Sequence, residues 1–448
     1  MTYEQISSLV EARRAEMQGV LDFMEAHPAA GYREWESSNY LERAYRDLGY
    51  IPTMAENIPG FYVDVDTGKP GPRILMLSEL DGLSCPDHPK ADPNTGVAHA
   101  CGHHAQCAAL YGVAAALRVP EILEGLCGSI RLCVVPAEEL GELEFREGLR
   151  RDGIIHYFGG KQEFLRRGYF DGCDMAFMIH TGGGQHRFTI KPGCNGSIMK
   201  TAEFIGKATH AAAPRHGINA LYAANLSLSA INALRETFNN YDFVRVHPII
   251  VQGGTVVNAI PGRVLMENQV RASTVDACTA VNIKINRAVA ASAAAIGANV
   301  KLRDIPGYMP GAYDKTLTRF AMQAMAEVVG EENVHYVENP WDTGCSDMGD
   351  LSQVMPAVHA FGSGSVGAAH GAAYRIADFD SACMDSAKAQ LVLLRNLLSN
   401  DAAAAKEVIA NANVRFASFA EYFAVMDDIF TECTAVEKIS DHELKLNF

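Results

Sequence analysis

Four short apolar runs, each ending in side chains that bind metals or carry protons, constrain this chain more than any other feature. ILMLSELDGL begins at Ile74 and ends among acidic residues, and SIRLCVVPAEE begins at Ser129 and ends in Glu138 and Glu139. DMAFMIHT begins at Asp174 and reaches His180, while MPAVHAFGSGS begins at Met355 and leads through glycines to His370. Runs this short and this apolar predict strands buried on both faces. Helical patterns separate them, the clearest being AQCAALYGVAAALRV from Ala105. Such alternation predicts an α/β fold with a mixed, mainly parallel sheet flanked by helices. In sheets of that kind ligands bind beyond the carboxyl ends of the strands, where the ligand-type residues fall. Before the first strand, Ile6, Leu9, Val10, Met17, Leu21 and Met24 predict two helices, broken near Pro28 to Tyr32.

The pattern changes between residues 196 and 306. SIMKTAEFIGKATH alternates like a half-buried strand, Pro214 to Phe238 reads as one long helix with proline in its first turn, and VHPIIVQGG and VLMENQVRAST read as strands. An alanine-rich helix from about Asp276 to Gly297 follows. Strand, helix, two strands, helix, strand describes a small α+β plait, expected as an inserted domain over 196–306. Residues 1–195 and 307–448 are then one discontinuous catalytic domain. The tail after Asn400 is charged and helical in composition and carries no readable motif.

With 448 residues the chain is long enough for two or three domains, and its 48% hydrophobic and 20% charged content suits a large buried core. A formal net charge of -15 argues against nucleic acid as a partner, because phosphate recognition needs an excess of Lys and Arg. Eleven scattered cysteines are too dilute for a disulfide scaffold and read as buried thiols in a reducing compartment. No signal-peptide pattern opens the chain and no apolar stretch is long enough to span a bilayer, so the expectation is a cytoplasmic protein without membrane contact.

The segment HACGHH, from His99 to His104, places a thiol and imidazoles within one or two turns of backbone. Gly102 permits a tight loop, so Cys101 and His103 can reach one metal centre, and thiolate with imidazole suits zinc and its neighbours. With Glu139, His180 and His370 the ligand-type residues number five, more than the three protein ligands of one catalytic zinc. Five fit two metals, with Cys101 as a candidate bridge. A metal pair polarises a carbonyl and makes hydroxide available near neutral pH, and adjacent glutamates can divide the work, one binding metal and the other moving protons. The alternative for Glu138 and Glu139 is a solvated acidic loop, since Glu142, Glu144 and Glu147 follow. Their place directly after an apolar strand and Pro136 favours a site. The glycine run at Gly182 to Gly184 lacks phosphate-loop spacing and reads as a turn. His99, His156, His186, His216 and His359 read as structural or surface residues.

LSELDGL from Leu77, HACGHH from His99, VVPAEE from Val134, MIH from Met178, GKATHAAAP from Gly206, GGTVVNAIPG from Gly253, GCSDMGDLSQVMP from Gly344 and AAHGAAYRI from Ala368 stand in family order. Through them the chain resembles the metal-dependent aminoacylase and carboxypeptidase family, in the amidohydrolase branch with indole-acetyl-amino-acid, hippurate and aminobenzoyl-glutamate hydrolases. The resemblance implies Cys101, His103, Glu139, His180 and His370 as ligands of two divalent metals, Glu138 as general acid/base, and Asp81 as a carboxylate orienting a ligand. It implies that His210 reaches the active site of a second subunit and steadies the tetrahedral oxyanion. Asn258 and Arg271 would hold the substrate carboxylate, for which the arginine fork is suited. A homodimer through the inserted domain is implied as well. His104 and Glu79 depart from the pattern, since many relatives have Asp at both positions, and His104 is a candidate extra ligand.

The expected activity is hydrolysis of the amide bond of an N-acyl or N-aroyl amino acid or small dipeptide. Zinc or manganese is expected, with cobalt and nickel as further candidates. Two readings compete with it: a catalytically inactive binding or regulatory protein on the same fold, and a cysteine hydrolase using Cys101 and His103. The first would be expected to have lost some ligands. The second has no orienting third member.

Overall fold

In the computed structural model, which describes residues 2–440 and 442–448, the four apolar runs are neighbours in one eight-stranded sheet. Ser129–Val135, Arg73–Glu79, Met175–Thr181 and Ala357–Gly362 lie side by side and parallel. Phe61–Asp66 and then Thr53–Met54 extend one side antiparallel. Phe188–Ile190 pairs antiparallel on the other side, and Val334–Tyr336 runs parallel to it. The sheet is therefore mixed and mainly parallel, with helices packed on it, as the alternation predicts. The unbroken apolar runs follow from burial on both faces: Ile74, Leu75 and Met76 are each fully buried, worth about 1.5–3 kcal/mol per side chain. The helix His103–Ala116 is buried along its whole length. Its small residues let neighbours approach closely; a Cβ on Gly112 would lie 2.7 Å from Met17 Sδ. Because the central strands are parallel, their carboxyl ends, and the loops that follow, share one edge of the sheet.

The N-terminal segment forms three helices rather than the expected two: Tyr3–Glu11, Arg14–Ala26 and Trp35–Asp47. The first opens on a capping box, Thr2 N donating to Gln5 Oε1 at 2.8 Å and Gln5 N to Thr2 Oγ1 at 3.4 Å.

The chain divides into two compact units. The first comprises Met1–Gly193, Ala312–Pro340 and Asp347–Phe419, and the second Cys194–Gly311, Trp341–Ser346 and Ala420–Phe448. The sequence-based boundaries, with 307–448 wholly in the first domain, differ here: two later segments group with the insertion.

In the second unit Gly196–Ile205, Ala220–Leu234, Arg245–Gln252, Arg263–Ala272, Val275–Ala295 and Asn299–Pro306 follow one another as strand, helix, two strands, helix, strand. The long helix expected from Pro214 is shorter. Pro214–His216 is a single 3-10 turn, and Lys207 and Ile218 then exchange backbone hydrogen bonds at 2.8 and 2.9 Å, which holds the chain extended. The helix starts only after Asn219, whose Oδ1 accepts from Leu221 N and Tyr222 N. The tail also departs from the helical expectation. After the helix Phe419–Ile429 it forms strand Thr431–Thr434, which joins the edge of Asn299–Pro306 as the fifth strand of an antiparallel sheet. A hairpin of Val436–Ser440 and Glu443–Leu446 follows, with Ala435, Val436 and Leu446 packed into the core of this unit. Among the described residues no helix is long and apolar enough to cross a membrane.

Candidate metal centre and active site

The carboxyl ends of the parallel strands deliver the ligand-type residues of the first unit. Arg73–Glu79 ends on Glu79 and leads to Asp81; Ser129–Val135 leads through Pro136 and Ala137 to Glu138 and Glu139; His180 is the penultimate residue of Met175–Thr181. His370 lies in the loop after Ala357–Gly362, and its backbone N donates to Ala100 O at 2.8 Å, tying that loop to HACGHH. Two of these residues hold left-handed backbone without being glycine: Ala137, φ 60°, and His370, φ 63°. Such conformations cost energy and cluster at functional sites.

Gly102 makes the turn that HACGHH requires. Its φ is 106°, and a Cβ there would run into Tyr374 Oη and lie 2.9 Å from Thr181 O. The helix begins at His103. Adjacent residues on a helix point about 100° apart, so His103 and His104 diverge. His103 turns into the site. The His104 ring lies against His99 with centroids 5.0 Å apart, and His104 joins none of the groups of potential metal ligands among the described residues. The extra-ligand reading of His104 is therefore corrected by the geometry of the first helical turn.

Among the described residues the donor atoms converge in four groups of three; His103, Glu138 and Glu139 form one, Glu79, Glu138 and Asp347 another, and the remaining two share Cys101. Cys101, His103 and His180 form one of these two and Cys101, Glu139 and His370 the other, with the donor atoms of each group all within 4.8 Å of one another. Cys101 belongs to both. Its Sγ lies 3.4 Å from His180 Nε2, and His370 Nε2 lies 3.0 Å from Glu139 Oε1. Asp81 supports both groups. Its carbonyl and Oδ1 accept from His103 Nδ1 at 2.8 and 3.1 Å, and its Oδ2 accepts from Glu139 N at 2.7 Å. With Nδ1 donating, the lone pair of His103 is on Nε2, which is buried and makes no hydrogen bond. A buried imidazole lone pair converging with a second imidazole and a thiol is the donor set of a transition-metal site.

Glu138 is buried beside these ligands, its Oε2 3.9 Å from His103 Nε2. Burial first, then the carboxylates of Glu79, Glu139 and Asp347, push its carboxyl well above the usual range. Burial works in the same direction on Glu139, but the His370 and His103 imidazoles and the Cys101 thiol together outweigh it and hold that carboxyl down, to about 2. Two neighbouring glutamates thus have opposite proton affinities, the separation that acid/base division of labour needs.

Sequence reasoning missed four supporting residues, Lys161, Asp347, Gln106 and Tyr374. Lys161 is fully buried and its Nζ contacts Glu79 Oε1 and Asp347 Oδ1. Gln106, one helical turn after His103, donates from Nε2 to Glu79 Oε2 at 2.8 Å. Tyr374 Oη donates to Cys101 O at 3.0 Å. His359, read as structural, is buried with Nδ1 3.4 Å from Tyr313 Oη.

The remaining predicted residues lie in the second unit. Thr209–His210 pairs with Ala259–Ile260, and Ala211 N donates to Asn258 O at 2.9 Å, so His210 and Asn258 sit on adjoining segments. Both are exposed; His210 Nδ1 accepts from Ala212 N at 3.0 Å. Arg271, on Arg263–Ala272, donates from Nε to Gln269 Oε1 at 2.9 Å.

The model of peptidase family M20/M25/M40 matches residues 76–396, well over half of the chain. The chain belongs to this family. It is accordingly a hydrolase acting on amide or peptide bonds, and the family resemblance read from the motifs is the correct one. Among curated relatives it is similar to an IAA-amino acid hydrolase of Arabidopsis thaliana, 26% identical over 77% of this chain and 76% of that protein. The indole-3-acetyl-aspartic acid hydrolase of Enterobacter agglomerans is 29% identical over 66% of this chain and 67% of that protein. Among solved structures, a dinuclear metal-binding M20 peptidase of Bacillus subtilis shares the fold, with a TM-score of 0.62 at 20% identity over 86% of this chain and 98% of the other.

Proposed function

We propose that the chain is a binuclear metal-dependent amidohydrolase that cleaves the amide bond of an N-acyl or N-aroyl amino acid or small dipeptide. The observation that carries this reading is the pair of three-donor groups sharing Cys101. Cys101, His103, Glu139, His180 and His370 are the proposed ligands, and zinc or manganese, with cobalt and nickel as further candidates, the proposed metals. Two such cations supply Lewis acidity for the amide carbonyl and make hydroxide available near neutral pH. The rest falls to the protein. Glu138 takes a proton from the attacking water and passes it to the leaving nitrogen. Asp81 fixes the tautomer of His103 and the backbone of Glu139. Arg271 and Asn258 hold the substrate carboxylate, and His210 of a second subunit steadies the oxyanion. The N-acyl amino acid class is supported by the relatives named above, and the free state of all eleven cysteines fits a reducing cytoplasm. The deciding experiment is a panel of N-acyl amino acids, aminobenzoyl-glutamate and β-alanyl dipeptides, each assayed with the protein loaded with zinc, manganese, cobalt or nickel. Turnover on at least one acyl amino acid is expected; a metal-loaded protein that cleaves none of the panel is instead a binding protein.

A homodimer through the inserted domain is supported by an open sheet edge. Arg245–Gln252 is the outer strand of its sheet, and Ile249 and Val251 on it are 47% and 46% exposed. Tyr222 and Leu226, on the helix Ala220–Leu234, are exposed as well. Apolar edge strands invite pairing, and a two-fold partner would close this one. Subunits carrying Glu138→Gln and His210→Ala, each inactive alone, are expected to recover about a quarter of wild-type turnover when co-expressed, because half of random dimers mix and each mixed dimer completes one site. No recovery from a mixed population shown to be dimeric would place His210 outside the partner's site.

A further inference from the structure

Next to the proposed metal ligands lies a second group of oxygens that no metal is needed to fill. Carboxylate oxygens of Glu79, Glu138 and Asp347 lie within 4.8 Å of one another, as close as the donors of either metal group. All three residues are buried. Three carboxylates so close in a dry pocket repel each other unless a cation sits among them. The cation present is Lys161. Its Nζ contacts Glu79 and Asp347, and its backbone N donates to Asp347 Oδ2 at 3.0 Å. The segment bearing it is seated against the Glu138 loop: Gly160 N donates to Ala137 O at 3.1 Å, and a Cβ on Gly160 would collide with Pro136 O. The backbone that carries Lys161 is thereby fixed.

Glu79 shows what this position controls. Its Oε2 accepts from Gln106 and lies 3.3 Å from His103 Nε2, the proposed metal-binding nitrogen, while Oε1 is held by Lys161. Without the Lys161 ammonium, Oε1 of Glu79 loses its partner, and the pocket would offer the carboxylates of Glu79, Glu138 and Asp347 to a further divalent ion. We infer that Lys161 is a positioning residue that serves as a built-in cation: it holds Oε1 of Glu79 in the carboxylate pocket, away from His103, and limits the centre to two metal ions. The ammonium does this without exchange with solvent, unlike a bound ion. The inference rests on the metallohydrolase reading above.

The test compares wild type, Lys161→Met, and Lys161→Met combined with Glu79→Gln, each loaded with manganese and dialysed. Metal per chain is counted by mass spectrometry of the digested protein, and kcat and KM are measured alongside. Wild type is expected to hold two ions. Lys161→Met is expected to hold one more, with kcat lower by about tenfold or more and KM little changed. The double variant, with one carboxylate charge fewer, is expected to return to two ions, and it serves in place of the single variant if that one does not fold: three ions or none in it would overturn the inference. Two ions and wild-type kcat in a folded Lys161→Met would overturn it too. A wild-type chain that binds no metal overturns the metallohydrolase reading instead, so the two failures are distinguishable.

Discussion

Glu138→Gln is expected to keep its metal ions and its fold while losing about 10²- to 10⁴-fold in turnover, the range that a positioned proton carrier contributes. Gln has the shape of Glu and can accept a hydrogen bond, but it cannot take a proton from water and release it to the leaving nitrogen. Glu138 is suited to that task because burial and three neighbouring carboxylates raise its proton affinity. Glu139 is not, because His370, His103 and Cys101 together overcome burial and hold its carboxyl well below the usual range. Burial and the neighbouring carboxylates already favour the neutral form of Glu138, so a neutral Gln of the same shape should not harm folding. Metal content by elemental analysis, a thermal denaturation curve and steady-state kinetics on the same preparation check the prediction. A near-normal rate in a metal-replete variant would mean that another group moves the proton, and the division of labour between the two glutamates would be wrong.

What the sequence revealed about the site followed from strand geometry. A parallel strand buried on both faces is a continuous apolar run, and its carboxyl end is where the run stops, so Glu138, Glu139 and His180 were legible as ends of runs. HACGHH itself offered Cys101 and His103, the run from Met355 led through glycines to His370, and the family motifs gave these residues their roles. Lys161 escaped because nothing in FGGKQEF distinguishes a buried ammonium from a solvated one; its partners Glu79 and Asp347 are 82 and 186 residues distant in sequence. The opposite roles of His103 and His104 were hidden for a different reason. Adjacent letters carry no direction until the helix start is fixed, and Gly102 fixes it one residue before His103. In the second unit the order of strands and helices was readable from alternation and periodicity. The tail was not: TECT, VEKIS and ELKL are largely exposed strands, with too few apolar residues to show a period of two.

Removing the metals should abolish turnover altogether and lower stability by several degrees. The physical reason is charge. Glu79, Asp81, Glu138, Glu139 and Asp347 gather around the three imidazoles and the thiol with Lys161 as the fixed cation among them, so divalent ions relieve a repulsion that the fold alone must otherwise bear. A ligand that binds only the folded state at a free concentration a thousandfold above its Kd adds about 4 kcal/mol of stability, and two sites add to each other unless they couple. Dialysis against a chelator, followed by refilling with zinc, manganese, cobalt or nickel, is expected to lose and then restore both activity and thermal midpoint. Cys101→Ala sharpens the test, because Cys101 is the donor common to both groups: its loss should weaken both metals together, whereas His370→Ala should weaken chiefly the group shared with Glu139. The cysteine-hydrolase reading predicts the reverse for the chelator, since a thiol nucleophile has no need of metal. The structure gives that reading little to work with, as burial and the Glu139 carboxylate push the Cys101 thiol far above its usual pKa, and a thiol so disposed is a poor nucleophile until a cation takes its proton's place. Full activity in thoroughly chelated protein would nevertheless decide for the thiol and against the binuclear centre.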